Sequence, residues 1–147
     1  MVADMDWPKR GDRDEFMAEV DHLILSRGFA REITGEAEPG EMVMSLHALH
    51  PRACTAVTCG EAGCYYASGP SGTLRHEPAI PVVAVETNGC GDVFHGAYAR
   101  ALARGWSVEG CVGYACAAAS AYAARPGGWE HLARDEEVRE LLARRRA

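Results

Sequence analysis

The stretch E-T-N-G-C-G-D-V-F-H-G, residues 86–96, lies between a β-branched run and an alanine-rich one, and its reading decides the fold. A strand is expected to end near Glu86. Gly89 and Gly91 let the backbone turn tightly and approach a ligand. A helix is then expected to begin near Asp92. The first amides of a helix lack intrahelical acceptors, and the dipole adds partial positive charge, so the loop offers a site for phosphate or another anion. Asp92 stands among those amides. It can cap the helix, or it can act as a base on a group brought to the same spot, and the residues alone leave both open. No Gly-Lys-Ser/Thr follows, so this is not a Walker loop. The third glycine is out of place for a dinucleotide fingerprint.

Working outward, short apolar segments alternate with helical ones. Residues 2–6, 21–26, 53–59, 64–68, 73–77 and 80–86 read as strands. Asp12 to Val20 reads as a helix. Another covers 29–35 and is stopped by Gly35, and a third is opened by Pro39 and runs from Gly40 to Leu49. In that third helix Met42, Val43, Leu46 and Leu49 follow helical spacing. Val93 to Arg104 forms a helix ending at Gly105. Ser107 caps the next, which runs to about Ala124 before Pro126-Gly127-Gly128, and Asp135 caps the last. Strands with interleaved helices predict an α/β layered fold with a partly parallel sheet, and the run 53–86 predicts a local antiparallel meander.

The chain has 147 residues, 48% apolar and 24% charged, with a formal net charge of −6. That is one domain's worth of sequence with enough apolar surface for a core. The negative balance argues against a nucleic-acid partner, and no run approaches the roughly 20 apolar residues of a membrane span. The N-terminus lacks an apolar signal core, so a cytoplasmic protein is expected. Cys54, Cys59, Cys64, Cys90, Cys111 and Cys116 form no C-x-x-C pair and read as buried thiols.

The segment V-E-T-N-G-C-G-D-V-F-H-G-A-Y-A-R-A-L, residues 85–102, closely resembles the C-terminal signature of ribokinase-like, PfkB-type carbohydrate kinases. Thr87, Gly89, Gly91, Asp92, Phe94 and Gly96 match that signature. Cys90 stands where Ala is usual and Glu86 where Asp is usual. The wording looks most like the sulfofructose-kinase-like branch. Ile33-Thr34-Gly35 resembles the family's Leu-Thr-Gly, residues 56–66 resemble its strand-Thr-x-Gly-x-x-Gly element, and the Ala-rich run before Arg125-Pro126-Gly127-Gly128 resembles its closing helix and loop. The resemblance implies a three-layer ribokinase-like fold, C-terminal portion, with a mostly parallel central sheet, flanking helices and an antiparallel meander. Residues 1–147 would be its nucleotide-binding, catalytic part, with the N-terminal half and the lid absent.

It also implies an ATP-dependent sugar kinase that uses Mg²⁺. Asp92 would be the general base on a sugar hydroxyl. Gly89, Cys90 and Gly91 would offer amides to the transferring phosphoryl group. Thr58, Gly60, Gly63, Thr87 and Asn88 would contact the nucleotide. The family's Asn-x-x-Glu element, which helps organise Mg²⁺, falls on Ser26 and Phe29, neither a carboxylate, so no residue is assigned as a metal ligand. The alternative is a catalytically silent fold that binds nucleotide weakly or serves as an interaction module. An exposed sheet edge would favour pairing into a homo-oligomer.

Other features have plainer readings. His47 and His50 read as polar residues on a helix face rather than metal ligands. His95 reads as a helix-surface residue or a lining of the phosphate site. Cys90 at a helix start could have a lowered pKa, but no partner base is specified, and a small-residue packing role is favoured. Tyr65 and Tyr66 alternate, so one should pack and one face out. Trp7, Trp106 and Trp129 read as core or rim residues.

Overall fold

The computed structural model describes residues 1–4 and 13–146. The predicted strand and helix ends at residues 5, 6 and 12, and Trp7, lie outside the described residues. The chain divides into two units, Met1–Cys59 with Cys64–His76, and Gly60–Gly63 with Glu77–Ala147.

The first unit holds β1 (Val2–Asp4), α1 (Arg13–Ala18), β2 (His22–Ser26), α2 (Arg27–Thr34), α3 (Pro39–Leu49), β3 (Cys54–Thr58), β4 (Cys64–Ser68) and most of β5 (Thr73–Glu77). The sheet order is β1-β2-β3-β4-β5. β1 and β2 pair in parallel, Ala3 opposite Leu23, and β2 pairs in parallel with β3, Ile24 opposite Ala56. β4 returns antiparallel to β3, Val57 opposite Tyr65. This is the α/β fold that was expected, with β3 to β5 as the meander.

β2 is an apolar run, Leu23-Ile24-Leu25, with every side chain at 0% exposure, the pattern of an interior parallel strand. Leu23 and Leu25 join Met42, Val43 and Leu46 of α3 in one core cluster. Pro39 opens α3, where its missing N–H is harmless. Leu49 departs from the predicted stripe, because α3 ends there, and it is 63% exposed. Ser26 caps α2 by accepting from the Phe29 amide, and Gly35 closes it in the left-handed region at φ 75°. Tyr66 is buried, but Tyr65 does not face out as expected: it is half-buried, packs against the core cluster and stacks on His76.

Two buried polar side chains tie this unit together. His47 is not a surface residue. Its Nε2–H donates to the Gly69 carbonyl at 3.0 Å, so its Nδ1 accepts from the Thr55 hydroxyl at 3.0 Å. Both ring nitrogens are occupied, which leaves neither for a metal. Arg52 donates to the carbonyls of Met17 at 2.7 Å, Val20 at 3.0 Å and His50 at 2.9 Å, fastening the end of α1.

The second unit holds α4 (Cys90–Ala103), α5 (Val108–Ala123), α6 (Asp135–Arg146) and two short 3₁₀ turns at Gly60–Ala62 and Gly128–His131. α5 is almost wholly buried. Its Gly113, Ala115, Ala117 and Ala118 carry little side-chain bulk, which suits close helix packing. Ser107 caps it through the Gly110 amide at 3.2 Å, as predicted. Gly63 has φ 87°, and a Cβ there would strike the Glu77 carbonyl, so glycine is required.

Two predicted features of this unit differ. Residues 80–86 form no strand. Their amides are taken by α5 instead: Ile80 N donates to Ser120 Oγ, and Val85 and Glu86 donate to the Ala123 carbonyl. Pro81 removes one further donor, and Val83 is 86% exposed. Asp135 does not cap α6. Its carboxylate accepts from Tyr114 Oη at 2.6 Å and pairs with Arg100, Arg104 and Arg139 at 3.0–3.4 Å. A phenol and three guanidinium groups offer it more than the free amides of its own helix end.

Among the described residues no helix is long and apolar enough to cross a membrane. None of the six cysteines is in a disulfide; four are buried, with Cys59 and Cys90 partly so.

Candidate active site

α4 begins earlier than the sequence suggests. Its N-cap is Gly89, held at φ 89° where only glycine is comfortable, and no side chain caps the end. Cys90, Gly91 and Asp92 therefore form the first turn, with Asp92 at its third position. The Cys90 amide turns back to the Thr87 carbonyl at 3.3 Å. No acceptor among the described residues is bonded to the amides of Gly89, Gly91 and Asp92. These three N–H groups, at the positive end of the helix dipole, are the loop's stock of free donors.

The loop is held from several sides. Asn88 N donates to Glu86 Oε1 at 2.8 Å, so the longer carboxylate at position 86 folds onto its own turn. Tyr122 Oη donates to the Asn88 carbonyl at 2.8 Å. The Cys90 thiol points back at the carbonyls of Glu86 and Ala119. Burial, then the Glu86 charge, pushes that thiol up from its ordinary value, so the lowered pKa considered from its helix position is not realised. His95 Nδ1 lies 2.8 Å from the Gly91 carbonyl, a bond along its own helix.

Asp92 is exposed and lines a cavity of about 600 Å³. Glu86, Asn88 and Gly89 line the same end. One wall follows α4 through Asp92, Gly96 and Arg100, a stripe at four-residue spacing and roughly 12 Å long. The facing wall is the α5 stripe of Tyr114, Ala118 and Tyr122, and Leu132, Ala133 and Val138 complete an apolar side. The cavity therefore joins a carboxylate and free amides at one end to apolar surface along its length, the mixed lining expected of a small-molecule site.

Asp92, Gly89 and Asn88 of the predicted site meet in this cavity. Thr87, Cys90 and Gly91 belong to the same loop without lining it. Thr58 ends β3, with its hydroxyl on the Leu25 carbonyl at 3.4 Å. Gly60 and Gly63 bracket the 3₁₀ turn at φ 57° and 87°. Glu86, Arg100, Tyr114 and Tyr122 line the cavity and were not assigned to it from sequence. The signal available for two of them was the spacing of Tyr114 and Tyr122, eight residues apart on one helix face.

The positions resembling the Mg²⁺-organising element carry no metal-binding chemistry. Ser26 is spent on capping α2 and Phe29 is 6% exposed within the core. Among the described residues no group of three or more His, Cys, Asp or Glu side chains could hold a metal ion. Ser26 and Phe29 therefore do not fit the part in holding Mg²⁺ that the family's element plays.

Comparison with known proteins places the chain. The model of the pfkB family carbohydrate kinases matches residues 1–132, and the chain belongs to that family. Over 96 residues it is 38% identical to the ribokinase of Bacillus subtilis strain 168, an overlap of 65% of this chain and 32% of that protein. A ribokinase candidate from Agrobacterium tumefaciens superposes with a TM-score of 0.89 at 28% identity, over 97% of this chain and 46% of that one. Arabidopsis thaliana ribokinase, solved with ribose and ATP, gives 0.77 at 27% identity, over 88% and 43%. The fold is ribokinase-like, and the chain spans less than half the length of these relatives.

Proposed function

We propose that this chain is the nucleotide-binding, catalytic portion of an ATP-dependent sugar kinase, transferring the γ-phosphoryl group to a hydroxyl of a sugar or sugar derivative. One observation carries the reading: an exposed carboxylate, Asp92, stands in a cavity beside an uncapped helix start whose first amides are free. Phosphoryl transfer asks little more of a protein than positioning and preorganised charge stabilisation. Asp92 takes the proton of the attacking hydroxyl. The amides of Gly89, Gly91 and Asp92 face the charge that develops on the phosphoryl oxygens. Each well-aimed donor of this kind contributes about 3 kcal/mol to the barrier in comparable oxyanion sites. Thr58, Gly60, Gly63, Thr87 and Asn88 are assigned to the nucleotide through the family pattern, and ATP and ribose are bound by the Arabidopsis relative.

The test is ATP-dependent phosphorylation of a panel of sugars by the full chain, with Asp92→Asn alongside. The expected result is turnover in the unsubstituted chain, lost in the variant with nucleotide affinity kept. Equal turnover in both proteins removes Asp92 from the role of base.

A second reading is favoured by the missing carboxylate at Phe29. It is a ribokinase-like module that binds nucleotide or a partner chain without turnover. In the same assay it gives nucleotide binding with no sugar phosphorylated by either protein.

A further inference from the structure

We propose that Tyr122 is a positioning residue that aims the Gly89 amide of the phosphate loop. This rests on the proposed reading of that loop as the phosphoryl site. The Tyr122 hydroxyl donates to the Asn88 carbonyl at 2.8 Å across 34 residues of sequence. Asn88 C=O and Gly89 N–H belong to one planar trans peptide, so they point in opposite directions. Fixing the carbonyl fixes the N–H. The Gly89 N–H has no acceptor among the described residues, so its direction is set from behind.

Sterics add to this. A Cβ on Gly89 would lie 3.0 Å from the Tyr122 hydroxyl, so the tyrosine fills the space directly behind the glycine. Tyr122 as a whole is 5% exposed. The bond does a second thing. A donor on the carbonyl polarises the peptide and makes its N–H a stronger donor to an anion. The residue that tunes the loop therefore sits on α5, outside the motif.

The experiment is a ¹H–¹⁵N spectrum of the full chain, with backbone amides assigned, titrated with the β,γ-imido analogue of ATP. In the unsubstituted chain the amides of Gly89, Gly91 and Asp92 shift on titration. In Tyr122→Phe the ring packing stays. The Gly89 amide moves upfield before any ligand is added, and the analogue binds roughly tenfold more weakly, the size of one lost hydrogen bond. The thermal midpoint is followed alongside, since a merely structural role would move it without moving the Gly89 signal. Unchanged Gly89 shift and affinity in the variant overturn the proposal while leaving the phosphate-loop reading intact. No response of residues 89–92 in the unsubstituted chain overturns both. A readout needing no variant is the Tyr122 hydroxyl proton itself: slow exchange supports the bond, and exchange at the solvent rate overturns the proposal.

Discussion

Tyr114 donates its hydroxyl to Asp135 at 2.6 Å, joining α5 to the start of α6, and Arg100, Arg104 and Arg139 gather on the same carboxylate. The Tyr114 bond first, then the guanidinium charges, holds Asp135 down from 3.8 to about 2. A depressed carboxylate adds stability that is fully present above its unfolded value and is lost as pH falls through its folded one. The expected outcome is a stability contribution intact above pH 3.8 and lost between there and about 2. Asp135→Asn should melt lower than the unsubstituted chain at about pH 6, and the gap should close toward about pH 2. Thermal melts across that range check it. A gap that stays constant down to the lowest pH would remove the carboxylate as its source.

Arg52 gives a stability prediction in the other unit. Its guanidinium satisfies the Met17 and Val20 carbonyls at the end of α1, and Nη2 is buried with no partner among the described residues. Removing the side chain removes one orphan donor but leaves three acceptors, the carbonyls of Met17, Val20 and His50, without it. The balance favours destabilisation, by about 2 kcal/mol for Arg52→Ala, read from urea unfolding. Arg52→Lys can reach one carbonyl at a time and should fall between the two. An Ala variant as stable as the parent would show that water or a neighbouring donor replaces the guanidinium.

Phe29 occupies the position where the family pattern places a carboxylate, and it lies on the buried face of α2, in the core. Phe29→Glu should not recover a metal site. It deletes a core aromatic and buries a charge, a loss of roughly 3–5 kcal/mol for the first term alone. The expected result is a large drop in the unfolding midpoint and no gain in Mg²⁺ affinity by calorimetry. A folded variant that binds Mg²⁺ more tightly would show that a carboxylate at this position can serve as a ligand.

What the sequence disclosed follows the range of each interaction. The end of α2 and the start of α3 were legible because Gly35 and Pro39 act within one turn of the helix they stop or start, whereas the start of α2 at Arg27, capped by Ser26, was placed two residues late. The loop at 86–92 was legible because glycine spacing is a local demand of the backbone. Residues 80–86 were misread because a β-branched run says nothing about which neighbour takes its amides, and here the takers, Ser120 and Ala123, are helical and distant. The burial of His47 was not legible for the same reason: its acceptor Gly69 lies 22 residues away. Asp135 has a good capping residue's chemistry, and only the packing of α4 and α5 shows that Arg100 and Tyr114 claim it first. Of the candidate site, the loop was visible and the α5 wall behind it was not.

Gly89 tests how tightly that wall constrains the loop. It sits at φ 89° with the Tyr122 hydroxyl directly behind it. Gly89→Ala meets two obstacles, a left-handed backbone costing of order 1–3 kcal/mol and a methyl group 3.0 Å from the hydroxyl oxygen. The loop can relieve both only by rotating the 88–89 peptide, which breaks the Tyr122 bond and turns the Gly89 N–H away. The expected outcome is lower stability together with nucleotide affinity reduced at least tenfold, about 1.4 kcal/mol. In the double variant with Tyr122→Phe the hydroxyl is gone, so the steric part of the penalty and the bond to be lost are gone with it. The two changes should therefore cost less together than the sum of each alone. Strictly additive losses, measured by unfolding and by nucleotide titration on all four proteins, would mean that residues 89 and 122 do not act on each other.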